Sequence, residues 1–111
     1  MDEHVEMVGD VAVFRFPWDH LNANNARQFK DDVQSVLQGR DKVVFDLGKL
    51  SFVDSTGLAA VLACLRQQSN AGGDLKLCGL SSSVRSLFEM VRLHRVFDLL
   101  NDTDEAVRAY G

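Results

Sequence analysis

The sequence is poor in the features that mark secreted, membrane-spanning or nucleic-acid-binding proteins. It has two cysteines, one proline and one tryptophan among 111 residues. The longest uninterrupted apolar run, residues 58–65, is far shorter than the ~20 residues that span a bilayer. The formal net charge is −4 and no basic cluster is present, which argues against direct nucleic-acid binding because phosphate contacts need clustered Lys and Arg.

The cysteines and the first residues indicate a cytoplasmic protein. Cys64 and Cys78 lie in apolar surroundings and lack the spacing of a metal site, so we predict two buried thiols in a reducing compartment. The first four residues are acidic overall and lack the basic and apolar regions of a signal peptide. We therefore expect neither a signal peptide nor membrane insertion.

The length and composition fit one globular domain with a real core. Hydrophobic residues make up 46% and charged residues 25% of the chain, which is ordinary for a soluble domain. Val5 and Met7 alternate with polar residues and predict an edge strand. The apolar segment 11–16 predicts a more central strand, and Gly9-Asp10 makes the two strands a hairpin. Pro17 ends it, because proline cannot donate to a sheet.

Helical and extended patterns then alternate along the chain. A first helix is predicted to start between Asn22 and Asn25, where an asparagine side chain can accept from the unpaired amides of the first turn, and to end at Gly39. Its apolar face is Ala26, Phe29, Val33, Val36 and Leu37. The strand 42–47 follows. A second helix, about 56–71, is apolar all round in its first half, so we expect that half to be buried. The strand 75–78 completes a crossover and is predicted to be parallel to 42–47.

The last third of the sequence predicts two more helices. The serines at 81–83 can cap a third helix, whose apolar face is Val84, Leu87, Phe88 and Val91. Val96 and Phe97 predict a short extended segment. The pattern Asp102-x-x-Glu105 is typical of a capping box and predicts a final helix that packs through Ala106, Val107 and Tyr110.

One polar segment is the strongest candidate for a functional site. Residues 52–58, Phe-Val-Asp-Ser-Thr-Gly-Leu, lie between a predicted buried strand and a predicted buried helix. Open α/β sheets place their sites at the carboxyl ends of strands. Ser55 is then a hydroxyl at a helix N-terminus, which favours negative charge. From spacing alone, a structural cap is the simpler interpretation of Ser55, because serine is a favoured N-cap. Asp54 can cap the helix, orient the serine or help to position an attacking hydroxyl, and we favour a mixture of the first two roles.

The motif and its setting resemble the STAS domain, in particular the bacterial anti-sigma factor antagonists. In that family an Asp-Ser-Ser/Thr-Gly-Leu motif follows the central strand, and Ser55 matches the serine that a partner kinase phosphorylates. The resemblance extends over residues 3–110 and includes Asp46-Leu47, the Ala-Gly-Gly at 71–73 and the strand 75–78. It implies one STAS-like α/β domain over 1–111, with a small mixed sheet, about four helices and an N-terminal hairpin.

The resemblance also implies a function. The unphosphorylated chain would bind an anti-sigma factor that is also a serine kinase, and would thereby free the sigma factor. Phosphorylation at Ser55 would end the binding, and a PP2C-type phosphatase would restore it. The chain would be a substrate and not an enzyme. It would carry no cofactor or metal, since ATP would belong to the kinase.

The resemblance implies a partner-binding surface around Ser55. Asp19 matches the family's aspartate at the end of the second strand, although Phe16 or Pro17 stands where the family has glycine. A turn or a helix cap is the alternative role for Asp19. Thr56 is a first-turn residue or a second phosphate acceptor, and Gly57 allows close approach either of a partner or of the sheet. The predicted surface comprises Asp19, His20, Asp54, Ser55, Thr56, Gly57 and Leu58.

Two other classes of function stay open. The chain could be a STAS subunit of a lipid- or solute-transport complex, acting as a structural module without phosphorylation. It could also be a serine hydrolase, with Ser55 as nucleophile and His20 or His94 as base. The segment Asp-Ser-Thr-Gly is not the Gly-x-Ser-x-Gly elbow of hydrolases, and no Gly-rich phosphate loop with lysine is present.

Overall fold

A five-stranded mixed sheet forms the centre of the fold. The computed structural model describes residues 4–111. Along these residues the elements are β1 Val5–Val8, β2 Val11–Arg15, β3 His20–Leu21, α1 Ala26–Leu37, β4 Lys42–Asp46, β5 Phe52–Val53, α2 Ser55–Asn70, β6 Asp74–Cys78, α3 Ser82–Met90, β7 Leu99–Leu100 and α4 Thr103–Arg108. In this part of the chain no helix has both the length and the apolar character needed to cross a bilayer.

The strand order of the main sheet is β1-β2-β4-β6-β7. β1 and β2 are antiparallel and form the N-terminal hairpin, whose turn uses Gly9 at a φ of +62°. The other neighbouring strands are parallel, as expected where helices connect them. The predicted mixed sheet with four helices and an N-terminal hairpin is confirmed.

The core lies on both faces of the sheet, because its central strands are buried on both sides. Phe14 and Phe45, in register on β2 and β4, have ring centroids 5.8 Å apart, and Phe29 of α1 lies 5.9 Å from Phe45. Burying one such side chain contributes about 1.5–3 kcal/mol. The buried residues of α1 are the five that its periodicity predicts: Ala26, Phe29, Val33, Val36 and Leu37. The opposite face of the sheet carries a smaller cluster beneath α4: Val11, Val13, Val44, Cys78 and Ala106.

Helix α4 begins with most of the predicted capping box. The Asp102 carboxylate accepts a hydrogen bond from the Glu105 amide at 2.8 Å. The Glu105 carboxylate reaches back to the amide of Asn101 at 3.1 Å, one residue before the cap. After the helix, the Tyr110 hydroxyl donates to the Val43 carbonyl at 2.7 Å. These contacts fix α4 against the central strand β4.

Three predictions about the helices and strands need correction. Asn25 is the N-cap residue of α1, but its side chain accepts from the amide of Asn22 and not from the helix. The first half of α2 is covered on one side only, and Ala59 is exposed. Val91 is the C-cap residue just beyond α3, outside its buried face, and is 49% exposed.

The predicted extended segment at Val96 and Phe97 is also wrong. Leu93–Arg95 form a 3-10 turn, and the strand β7 begins only at Leu99. Phe97 is buried and packs against Phe88 with ring centroids 6.2 Å apart, while Val96 is exposed. Phe97 is therefore packed in the core just before β7 begins and pairs with β6.

Candidate functional site

Ser55 is the first residue of α2, and Asp54 is the cap. The Asp54 backbone is extended, with φ −102° and ψ −175°, and its carboxylate accepts a hydrogen bond from the Gly57 amide at 2.9 Å. The predicted capping role of Asp54 is confirmed. The Ser55 side chain is exposed and forms no hydrogen bond within residues 4–111. Because Asp54 caps the helix, the Ser55 hydroxyl is available for chemistry.

The Asp54 carboxylate also joins α2 to the loop before α1. Its second oxygen accepts from the Ala23 amide at 3.3 Å. One carboxylate therefore holds the backbone N–H group of Gly57 and that of Ala23, which lies 31 residues before Asp54 in the sequence. The Asp54 carboxylate thus fixes these two backbone segments before any partner binds. It also sets the position of the loop before α1 relative to the start of α2.

A short parallel sheet, absent from the sequence prediction, brings Asp19 and His20 to the motif. β3 pairs with β5 in the register His20–Phe52 and Leu21–Val53. The carbonyl of Asp19 accepts from the Ser51 amide at 2.8 Å, and that of Leu21 accepts from the Asp54 amide at 3.2 Å. These bonds tie the end of the hairpin segment to the residues directly before Ser55.

The side chains of Asp19 and His20 form an exposed pair. The Asp19 carboxylate lies 2.9 Å from Nδ1 of His20, with side-chain exposures of 78% and 43%. This hydrogen bond holds the pKa of the Asp19 carboxyl below its usual value. The carboxylate caps no helix among the described residues, which removes the helix cap but not the turn, since Asp19 lies in a bend. In that bend it presents an anionic group to solvent beside the motif.

Gly57 and Leu58 lie beneath the surface rather than on it. A Cβ atom on Gly57 would be 2.3 Å from the Leu21 carbonyl oxygen, so the close approach that this glycine allows is to β3 of the same chain. Leu58 is 9% exposed and belongs to the core. Packing within the fold therefore explains why residue 57 is a glycine and residue 58 a leucine.

Two grooves run along the sides of α2, and Ala59 lines both. The Ser55 groove has a volume of about 280 Å³ and is lined by Ser55, Leu58, Ala59, Leu62, Val91 and Leu93. The Thr56 groove, about 420 Å³, lies between α1 and α2; its polar lining residues are Thr56, Arg27, Lys30 and Asp31. Adjacent hydroxyls therefore face different surroundings, one apolar and one charged. Sequence reasoning missed both grooves.

The remaining reactive side chains form no second site in the described part of the chain. No group of three His, Cys, Asp or Glu side chains in residues 4–111 is arranged to hold a metal ion. Cys64 and Cys78 are free and buried, as predicted, and burial raises the pKa of Cys64 to about 12 and of Cys78 to about 11. Among the described residues, the Ser55 hydroxyl forms no hydrogen bond to His20 or His94.

Comparison with known proteins identifies the family. The STAS domain family matches residues 4–106. A Bordetella bronchiseptica protein named "Putative anti-sigma factor antagonist BtrV" is 34% identical over 91 residues, which cover 81% of this chain and 78% of that protein.

Solved structures share the fold. The crystal structure of the anti-sigma factor antagonist TM1081 of Thermotoga maritima, described there as putative, is similar with a TM-score of 0.86 at 24% identity, over 98% of this chain and 97% of that one. SpoIIAA of Bacillus, an anti-sigma factor antagonist, is similar in its unphosphorylated form with a TM-score of 0.69 at 25% identity, over 96% of each chain. Its phosphorylated form gives 0.72 at 24% identity, over 96% of this chain and 97% of that one. The chain belongs to the STAS domain family.

Proposed function

We propose that this protein is an anti-sigma factor antagonist that works by partner switching. Its unphosphorylated form binds an anti-sigma factor with serine kinase activity and thereby frees a sigma factor. Phosphorylation at Ser55 ends that binding, and a PP2C-type phosphatase reverses it. Membership of the STAS family and the names of its relatives support the proposal. The existence of SpoIIAA in unphosphorylated and phosphorylated forms supports the switch.

The observation that carries the proposal is the division of roles at the start of α2. Asp54 satisfies the Gly57 amide at 2.9 Å, and Ser55 stands exposed beside it. A kinase can therefore reach the hydroxyl without unfolding the helix cap. Thr56 is also exposed and lines the charged groove on the other side of α2. We assign phosphorylation to Ser55 because Ser55 is the residue that matches the phosphorylated serine of the family motif.

The fold should tolerate a phosphate at Ser55. A phosphate adds about −1.5 to −2 charges at neutral pH, and repulsion from Asp54 opposes it. The N-terminus of α2 offsets that repulsion by about 0.3–1 kcal/mol. Because these effects are small and nearly balanced, the switch must act at the interface and not through unfolding.

The Ser55 groove explains how such a charge ends binding. Apart from Ser55, the lining side chains are all apolar: Leu58, Ala59, Leu62, Val91 and Leu93. Phe52, three residues before Ser55 on β5, is a further apolar side chain that is 55% exposed. Because none of the described residues that line the Ser55 groove is cationic, a partner that covers it would bury the phosphate among apolar side chains, and a buried unpaired charge costs several kcal/mol.

The remaining predicted residues have distinct places in this proposal. Asp19, His20 and Thr56 contact the partner, while Asp54 orients the acceptor and Gly57 and Leu58 support it from beneath. The chain is a kinase substrate in the cytoplasm and catalyses no reaction itself. ATP enters with the kinase.

Phosphopeptide mapping tests this function. The kinase is captured on the wild-type protein and then authenticated by ATP-dependent phosphorylation of that protein. We expect one phosphate on Ser55 and none on the Ser55→Ala variant, while the matched control Thr56→Ala is phosphorylated normally. Phosphate only on Thr56 would contradict the assignment to Ser55, and a captured kinase that transfers no phosphate to the wild-type protein would contradict the proposed function.

A further inference from the structure

The Thr56 groove carries an unpaired positive charge next to the acceptor residue. Arg27 and Lys30 lie one helical turn apart on α1 and line this groove opposite Thr56. Both side chains are exposed, and neither forms an ion pair within residues 4–111. In the same part of the chain, Arg15, Lys42, Lys76 and Arg85 are paired with carboxylates, whereas Arg66 and Arg108 are unpaired like Arg27 and Lys30 but lie outside the groove.

This charge opposes that of the molecule as a whole. The chain has a net charge of −4, and Asp31 is the one carboxylate among the residues that line the groove. Two unpaired cations beside one anion create a local positive field on an acidic protein. Such a field attracts acidic groups and raises association rates by about 10–10³.

The shape of the groove suits a protein side chain. Its floor consists of small residues, including Ala26, Ala59 and Ala60, which leave a volume of about 420 Å³ open. Ala59 also lines the Ser55 groove, so a protein seated over Ser55 extends without a gap into the charged groove. The two grooves form one surface with an apolar half and a cationic half.

We infer that the Thr56 groove binds an acidic segment of the kinase, and that Arg27 and Lys30 steer the kinase to Ser55. This inference rests on the proposed function and adds a charge requirement for the partner. Exposed interface charges act mainly on association rates, whereas buried contacts act on dissociation. Arg27 and Lys30 therefore set how fast the complex forms, while the state of Ser55 sets how long it lasts.

The test measures how fast two double charge-reversal variants bind to and dissociate from the authenticated kinase. Arg27→Glu/Lys30→Glu is the test variant. Arg66→Glu/Arg108→Glu is its matched control, since both residues are exposed and lie outside either groove. Each double variant changes the net charge from −4 by the same amount. Surface plasmon resonance measures association and dissociation at several salt concentrations, and circular dichroism checks the fold.

We expect the test variant to associate at least about tenfold more slowly than wild type, with a weaker salt dependence and a nearly unchanged dissociation rate. The control should associate within about twofold of wild type. Equal rates for the two variants would overturn the inference while leaving Ser55 phosphorylation intact. The inference would also be overturned if the wild type and the control bound phosphatidylglycerol vesicles, the test variant did not, and the test variant associated with the kinase as fast as the wild type. Absence of ATP-dependent phosphorylation of the wild type would instead count against the proposed function.

Discussion

Gly57 and Leu21 are in such close contact that a Cβ atom on Gly57 would lie 2.3 Å from the Leu21 carbonyl oxygen. The same carbonyl accepts a hydrogen bond from the Asp54 amide at 3.2 Å. The start of α2 therefore packs directly against β3. Ser55 can hold its position only because Gly57 has no side chain.

Gly57→Ala should destabilise the protein and displace Ser55. The added methyl must push α2 away from β3, and overpacking of this kind typically costs about 1–3 kcal/mol. We expect a lower midpoint in urea unfolding together with slower phosphorylation by the kinase. Unchanged stability would show that the helix shifts without cost, and that the contact with Leu21 is not what requires glycine.

Removing the cap at Asp54 should weaken the fold by about 1 kcal/mol, the typical value for an N-cap. Asp54→Ala loses acceptors for the amides of both Gly57 and Ala23. Asp54→Asn is the matched control, because an amide side chain keeps an acceptor at the cap position. Asp54→Ala should therefore unfold at a lower urea concentration than Asp54→Asn. Equal unfolding midpoints for the two variants would contradict the capping role.

Asp19→Asn should leave the melting temperature almost unchanged and slow the phosphorylation of Ser55. The side chain is 78% exposed, and exposed substitutions usually change stability little, whereas a polar contact at an interface can matter greatly for binding. Thermal melting beside a phosphorylation time course gives the answer. A large loss of stability with normal phosphorylation would remove Asp19 from the site.

The pKa of Asp19 should depend on His20. Their hydrogen bond lowers the Asp19 pKa, so any stabilisation it provides is present above the ordinary carboxyl value and is lost as the pH falls through the lowered pKa. In an NMR titration, His20→Ala should raise the Asp19 pKa toward its usual range. The Asp10 carboxyl, whose pKa is lowered by Lys42, serves as the internal control and should not move.

Val91 should contribute to partner binding more than Val96. The two valines are 49% and 54% exposed, but only Val91 lines the Ser55 groove. Val91→Ser should weaken kinase binding by about tenfold, equivalent to 1.4 kcal/mol, and Val96→Ser should bind as the wild type does. Calorimetry on both variants measures this, and equal losses would show that the groove is not part of the interface.

The parts of the fold that sequence predicts well are those with a long, regular pattern. The five apolar residues of α1 recur at helical spacing, so periodicity alone identifies its buried face. Helix α2 is apolar all round in its first half, and such a pattern cannot tell which side the protein leaves uncovered. The exposure of Ala59 and the partial exposure of Leu62 follow from where α1 and the turn after α3 lie, which is a tertiary property.

Short elements and long-range contacts were beyond sequence reasoning. β3 and β5 have two residues each, too few for an alternating pattern to show. The need for glycine at position 57 comes from Leu21, and the second bond of Asp54 comes from Ala23. Ser55 itself was predicted from the resemblance to a family, since its spacing indicated only a helix cap.

The central claim is that charge at Ser55 controls partner binding without unfolding the protein. The most direct measurement is isothermal titration calorimetry of the authenticated kinase against the Ser55→Ala and Ser55→Asp variants, after thermal melting has shown both to be folded. The account predicts that Ser55→Ala binds like the wild type and that Ser55→Asp binds at least about tenfold more weakly, a loss of 1.4 kcal/mol or more. Equal affinity of the two folded variants would contradict it.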